Sequence, residues 1–412
     1  MSPERQPERL RVAWIVPGFQ GEVGEPGIPA LGILAEDLAH YCELHVYAVR
    51  FPKRTADYRV GQVAVRSFGN REDPARGALW RRARSARRWA AVLAAIAAEH
   101  RRAPFTLIHG LWASEPGMLA VVAGRLLGMP SLVSVAGGEL ASVRPAGYGG
   151  QLRLMERLQI AVTLHLADAL GVGSVDARRR MLLRYPWLHA RIRTLPLGYC
   201  PAMFGPLSAA PQPGRVVCVA SWAPVKGHAL LAAAVRVLID RGIPIELVLI
   251  GERTNGAEAR AAVEAWGIGE HSRLVGAVPQ SVVAMELHAA AVAVVASWHE
   301  AQCLAILEAL ACGVPVVSTP VGVARDVLRD GRVGSFVANR TPIRLAEALS
   351  TYLGLSVGGP EQHAARCAAA TPYARPAVTE GFLAVYEGLK YMQSARTTGA
   401  IVVCSPYGER LR

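Results

Sequence analysis

The chain has 412 residues, 45 Lys+Arg against 32 Asp+Glu, a formal net charge of +13 and 52% hydrophobic residues. That length exceeds one ordinary core and fits two domains of roughly 150–200 residues each. No apolar run reaches the roughly 18–20 residues of a spanning helix, and MSPERQPERL lacks the apolar stretch of a signal peptide. The seven cysteines are scattered without a C-x-x-C pair, so they read as reduced thiols of a cytoplasmic protein and exclude a disulfide or zinc framework.

Strand and helix patterns alternate along the chain. RVAWIVP (11–17) reads as a buried strand, Ile33–His40 as the start of a helical pattern, and ELHVYAVRF (43–51) as a strand again. Arg76–His100 reads as a long helix, FTLIHG (105–110) as a strand, Pro116–Leu127 as a helix and PSLVSVAGG (130–138) as a strand entering a glycine turn. A helix over 151–167 and the strand DALGVGS (168–174) lead to the end of the first half at ARIRTLPLGY.

A Pro/Ala/Ser-rich break over 206–214 reads as a linker. The alternation restarts with strands at 215–221, 245–251, 272–278, 292–297 and 314–319, and helices at 227–241, 256–267, 302–312 and 342–353. A final helix over 376–391 is expected to pack back on the first domain, and the tail 392–412 fits neither pattern. The expected organisation is therefore α/β, with two Rossmann-like parallel-sheet domains, 1–205 and 215–375, facing across a cleft where ligands sit at the strand ends.

The segment SWHEAQCLAILEALACGVPVVSTPVGVARDVL (297–328) carries the chemistry. A loop presents Glu300, and the helix after it carries Glu308. Eight residues at ~1.5 Å rise place these carboxylates about 12 Å apart, which suits a ligand with hydroxyls at both ends and a phosphate between them. The helix start between them offers free amides and a favourable dipole to that phosphate. By spacing alone, two solvated glutamates beside a buried helix fit as well. Lys226, one of only three lysines, stands in CVASWAPVKGHALLAAAV (218–235), where its ammonium would meet phosphate as a point charge.

These residues resemble the donor-site signature of the family 4 retaining glycosyltransferases of GT-B fold, in which Glu-x7-Glu precedes A-L-A-C-G-V-P-V-V-S-T-P-V-G. The resemblance implies that Glu300 meets the transferred sugar, Glu308 the nucleotide ribose, Gly322 the phosphates and Lys226 the diphosphate leaving group. Ser221 stands where the family has an arginine, with Trp222 beside it. Ala301, Gln302 and Cys303 stand where the family commonly has Gly-Phe-Gly, and with Leu304 they would line the donor. Val275 in SRLVGAV would lie near the base.

On the acceptor side, His109 and Trp112 match one family stretch, and Gly137, Gly138 and Glu139 another, while Ala136 replaces the usual histidine. Glu139 is a catalytic candidate beside Lys226 and Glu300, and Tyr148 in GYGG (147–150) a candidate for touching the acceptor. The resemblance implies transfer of a sugar from a nucleoside diphosphate sugar, with retention, to an acceptor glycan, glycolipid or small molecule in cell-envelope synthesis. It implies no metal and no cofactor.

Two other readings fit the same segment: a nucleotide-sugar epimerase of this architecture, and a sugar-nucleotide-binding partner protein impaired at Ala136 and Ser221. Residues 1–200 hold 27 Lys+Arg and 16 Asp+Glu, an asymmetry that points the first half at something anionic. The stretch 76–102, with Trp80 and Trp89 among arginines, reads either as a solvated basic face or as a helix resting on the inner face of an anionic membrane. No aromatic stacking motif for nucleic acid accompanies the charge.

Overall fold

The computed structural model describes residues 9–21, 28–69, 77–206, 211–353 and 359–398. Arg76, linker residues 207–210 and tail residues 399–412 lie outside the described residues.

Two parallel sheets form, one from each half. The first takes the strands β1 (Arg11–Gly18), β2 (Glu43–Phe51), β3 (Thr55–Val60), β4 (Val63–Phe68), β5 (Leu107–Leu111), β6 (Ser131–Val135), β7 (Ala169–Val172) and β8 (Ile192–Thr194) in the order β3-β4-β2-β1-β5-β6-β7-β8. Only the β3–β4 pair is antiparallel. The sequence reading passed over this hairpin because β3 alternates exposed and half-buried residues at the sheet edge and has no apolar run. The second sheet takes β9 (Arg215–Val219), β10 (Glu246–Ile250), β11 (Ser272–Gly276), β12 (Val292–Val295), β13 (Val316–Ser318) and β14 (Gly334–Phe336) in the order β11-β10-β9-β12-β13-β14.

Strand β1 shows why both faces of the first sheet are covered. Its side chains alternate: Val12, Trp14 and Val16 join one core cluster, and Ala13 and Ile15 join another with Val92, Ile96 and Leu119. The first cluster is completed by Val378, Phe382, Tyr386 and Leu389 of the helix Arg375–Thr398. This helix thus belongs to the first domain, and it runs through 392–398, which the sequence had left unplaced. Burying an aromatic such as Phe382 stabilises by about 2–3 kcal/mol, which fixes the helix where it lies.

The chain crosses between the domains twice, and the crossings are hydrogen-bonded to each other. The Tyr199 amide donates to the Tyr373 carbonyl at 3.2 Å, and the Arg375 amide donates to the Tyr199 carbonyl at 3.0 Å.

Candidate active site

Among the parallel strands the order reverses between β1 and β5 in the first sheet and between β9 and β12 in the second. At such a switch point the loops leaving adjacent strands part in opposite directions and open a crevice. The loop after β9 carries Lys226, and the loop after β12 carries Glu300. They meet there: Lys226 Nζ lies 2.7 Å from Glu300 Oε1, which also accepts from Ser297 Oγ at 2.7 Å. Burial would lower the Lys226 ammonium, but the Glu300 carboxylate outweighs it and holds the lysine above its ordinary value. The loops are packed backbone to backbone. Gly227 has φ +71°, and a Cβ there would stand 2.2 Å from the Ala296 carbonyl oxygen.

Glu308 sits in the helix Leu304–Ala311, 8% exposed, and among the described residues no group hydrogen-bonds its carboxylate. Burial lifts it to about 7. A deeply set carboxylate without protein donors is costly unless water or a ligand supplies them. Cys303, just before this helix, has φ +73°. That left-handed backbone costs a non-glycine residue roughly 1 kcal/mol. Gly322, at φ +52°, allows the next loop to touch this one, since a Cβ would meet the Gln302 carbonyl oxygen at 2.0 Å.

Several sequence candidates take other places. Gln302 does not face a sugar: its amide accepts from the Leu197 N–H and donates to the Leu197 carbonyl, both at 2.6 Å, and so bridges the domains. Trp222 is buried, stacked on His228 with ring centroids 4.6 Å apart, and Ser221 offers its carbonyl to His228 Nε2 at 3.0 Å. Val275, Cys303 and Leu304 each pack against the second domain's core, and Ala301 lines the cleft.

Glu139 does not present a carboxylate to the cleft. It is 2% exposed and accepts from the amides of Ala113 at 2.9 Å, Ala136 at 3.2 Å and Gly137 at 2.7 Å, binding two loops together. Burial nonetheless raises its carboxyl above the ordinary range.

His109 does not reach an acceptor either. It is fully buried, with Nδ1 2.9 Å from Tyr386 Oη and Nε2 2.9 Å from Ser134 Oγ. Trp14 Nε1 donates to the same Tyr386 oxygen at 2.9 Å, so the tyrosine proton goes to Nδ1 and the neutral imidazole donates from Nε2 to Ser134. Trp112 and Tyr148 hold the glycine loop between them. A Cβ on Gly137 would stand 2.5 Å from Trp112 Nε1, and one on Gly138 2.6 Å from the Tyr148 ring.

The helix Ala78–Arg102 is anchored inward, through Trp89 and Arg88 to the buried Glu115 and through Val92 and Ile96 to the core. Among its described side chains the apolar side is thus already spent inside the domain.

A cavity of 270 Å³ lies between the domains, lined on the first by Gly137, Arg180, Met181 and Arg184 and on the second by His299 and Glu300. The sequence reading missed Arg180, Arg184 and His299. It also missed Asp326, whose carboxylate accepts from the Val175 and Asp176 amides at 2.8 and 3.1 Å. A carboxylate of one domain thus caps a helix of the other. Only the packing of the two domains brings these residues together, and nothing local in the sequence marks them.

Residues 213–354 match the family described as glycosyl transferases group 1. Over 219 residues the chain is 31% identical to a D-inositol 3-phosphate glycosyltransferase of Geodermatophilus obscurus, covering 48% of this chain and 49% of that protein. Over 165 residues it is 30% identical to a phosphatidyl-myo-inositol mannosyltransferase of Mycobacterium leprae, covering 40% and 43%. The chain therefore spans about half the length of the curated relatives it matches.

Among solved structures it resembles sucrose-phosphate synthase of Thermosynechococcus elongatus, with TM-score 0.74 and 19% identity over 93% of this chain and 100% of that one. It also resembles Anabaena HepE in complex with UDP and glucose, with TM-score 0.67 and 14% identity over 92% and 100%. The strand topology and these likenesses give the chain a GT-B fold, and its second domain, over residues 213–354, matches the group 1 glycosyl transferases.

Proposed function

We propose that the chain is a family 4 retaining glycosyltransferase that moves a sugar from a nucleoside diphosphate sugar to an acceptor hydroxyl. The observation that carries this is the meeting of Lys226 and Glu300 at the switch point, followed by a helix with Glu308, a buried carboxylate to which no described residue donates. A ribose diol supplies donors to Glu308. The diphosphate takes Lys226 and the amides at the start of helix Leu304–Ala311, and Glu300, released from Lys226, accepts from sugar hydroxyls.

In this reading the anomeric carbon–oxygen bond to the diphosphate breaks while the bond to the acceptor oxygen forms on the same face. The acceptor proton passes to the leaving diphosphate oxygen, so no protein base is needed. That fits Glu139 being occupied by backbone amides. Lys226 and the helix dipole stabilise the charge that grows on the leaving group, which does the work a metal would do. Arg180 and Arg184 on the cavity wall suit an acceptor that carries an anionic group, such as the phosphate named for the inositol phosphate relatives.

The test is a thermal-shift panel of UDP-, GDP- and ADP-sugars. Ligand at about 100-fold over its dissociation constant adds ~2.7 kcal/mol, and Glu308→Ala and Lys226→Ala each shrink the shift. No shift with any nucleotide sinks the donor-site reading. A shift without transfer or donor hydrolysis favours an impaired binding protein, and donor turnover with no acceptor favours an epimerase.

A further inference from the structure

The helix Leu154–Leu166 buries Ile160, Thr163 and Leu164 in the first domain, yet its outward side is apolar as well. Leu154 is 70% exposed, Met155 61%, Leu158 53% and Val162 41%. Positions 154, 158 and 162 recur every four residues and form one row along the helix. The neighbouring helix Val175–Arg184 and the turn after it add Leu183, 76% exposed, and Trp187, 65% exposed. The second helix is tied to the turn Gly150–Leu152, which leads into the first helix. Arg184 Nη2 donates to Gln151 Oε1 at 3.4 Å, its guanidinium lies over the Tyr185 ring, and Tyr185 meets Trp187 edge-on at 5.6 Å. A helix in water normally turns polar residues outward, and a contiguous apolar row marks a contact surface.

Charge says what the contact is. Residues 144–193 hold nine arginines and three acidic residues. All three acids are engaged: Glu156 with Arg153 at 3.6 Å, Asp176 with Arg180 at 2.9 Å, and Asp168 with Ser131. Exposed apolar side chains on a stretch with surplus guanidinium groups, Arg153 and Arg157 among them, match acyl chains beneath anionic headgroups. Among the described residues no helix is long and apolar enough to cross a membrane, so the contact lies in the plane of the interface. The helix Ala78–Arg102 has spent its described apolar side in the core and cannot offer the same face.

We propose that the outward face of helix Leu154–Leu166, with Leu183 and Trp187, docks the protein on an anionic lipid surface. The same helix Val175–Arg184 supplies Arg180, Met181 and Arg184 to the cavity wall, so docking holds the cavity beside the headgroups. The full chain is mixed with vesicles of phosphatidylcholine containing ~30% phosphatidylglycerol at ~0.1 M salt and floated on a gradient.

The wild type floats with these vesicles, less so with phosphatidylcholine alone or at high salt. Leu158→Glu and the pair Arg153→Glu with Arg157→Glu each lower the bound fraction by about tenfold without lowering the melting temperature. Met285→Glu, at a 65% exposed position on the second domain, floats as wild type does. Failure of the wild type to float, or equal flotation of Leu158→Glu, overturns the proposal. So does a wild-type dimer that ignores vesicles and that Leu158→Glu dissociates, since a second copy then covers the face. Nucleotide-induced thermal shifts are read separately, so failure here leaves the donor reading standing.

Discussion

The Gln302 side chain closes a two-bond ring with the Leu197 peptide, accepting from its N–H and donating to its carbonyl at 2.6 Å each. The residue after Ala301 in the cleft loop is thereby tied to the backbone of the other domain, and the site's geometry depends on how the domains are held.

Replacing Gln302 by Ala leaves both Leu197 groups without their partner, at a cost of about 1–3 kcal/mol. The melting temperature falls, and the donor KM rises because the loop bearing Glu300 loses its anchor. An unchanged melting temperature would contradict the bridge.

Glu308→Gln separates stability from binding. The folded carboxyl, at about 7, lies above its ordinary 4.5. The folded state therefore holds this proton more tightly, and stability from this group is full below 4.5 and lost as pH rises through 7. A neutral glutamine escapes that loss. The variant is more stable than wild type by up to about 3 kcal/mol at pH 8, and the two converge near pH 4.5. Its nucleotide-induced thermal shift shrinks. Parallel melting curves across that range would rule out a buried, donor-free carboxylate.

Lys226→Ala removes the cation beside Glu300 and leaves that carboxylate half-buried and unpaired. Activity falls by about 10²–10³, the range seen when one charge-stabilising group is removed, and the loss appears in kcat more than in KM. Activity within twofold of wild type would exclude Lys226 from the reaction.

Tyr386→Phe strips a shared oxygen from Trp14 and His109. Two buried nitrogens lose a partner, and stability falls by about 1–3 kcal/mol, read by denaturant titration.

His109 has its own pH signature. Burial depresses it from 6.5 to about 3, so the unfolded chain takes up a proton that the folded one refuses. Its stability is present above 6.5 and lost as pH falls toward 3, opposite in sign to Glu308. The wild type is thus flatter between pH 4.5 and 6.5 than either group alone dictates. His109→Gln, which does not titrate, steepens the gain in stability on acidification in that window.

Lys226 and Glu300 stand out in the sequence through their resemblance to family motifs, and because each follows a buried strand the fold brings the two side chains together. Glu308 stands out only through the resemblance, since its eight-residue offset fits a solvated glutamate as well, and the helix that carries it starts at Leu304, so helical rise does not span the whole offset. His109 misled: it lies inside β5, and its side chain turns toward the helix Arg375–Thr398, whose position no local pattern predicts. Glu139 misled because an acid beside two glycines reads as a ligand, whereas here it collects backbone amides. Gln302, Asp326, Arg180 and Arg184 acquire their roles from the other domain or from a cavity wall, and sequence spacing carries no information about either.

Trp14 waits for a partner 372 residues away. On the ribosome, strand β1 emerges among the first segments of the chain, while the tyrosine that satisfies its indole arrives after the entire second domain. The first domain therefore cannot complete its core during its own synthesis, whereas the second draws its core from Tyr199 to Ala374 and can. In birth order the second domain matures first, nested as an insert within a host still awaiting the helix Arg375–Thr398. A nascent chain whose residues through about 370 have left the ribosome would hold a folded second domain and an open first one.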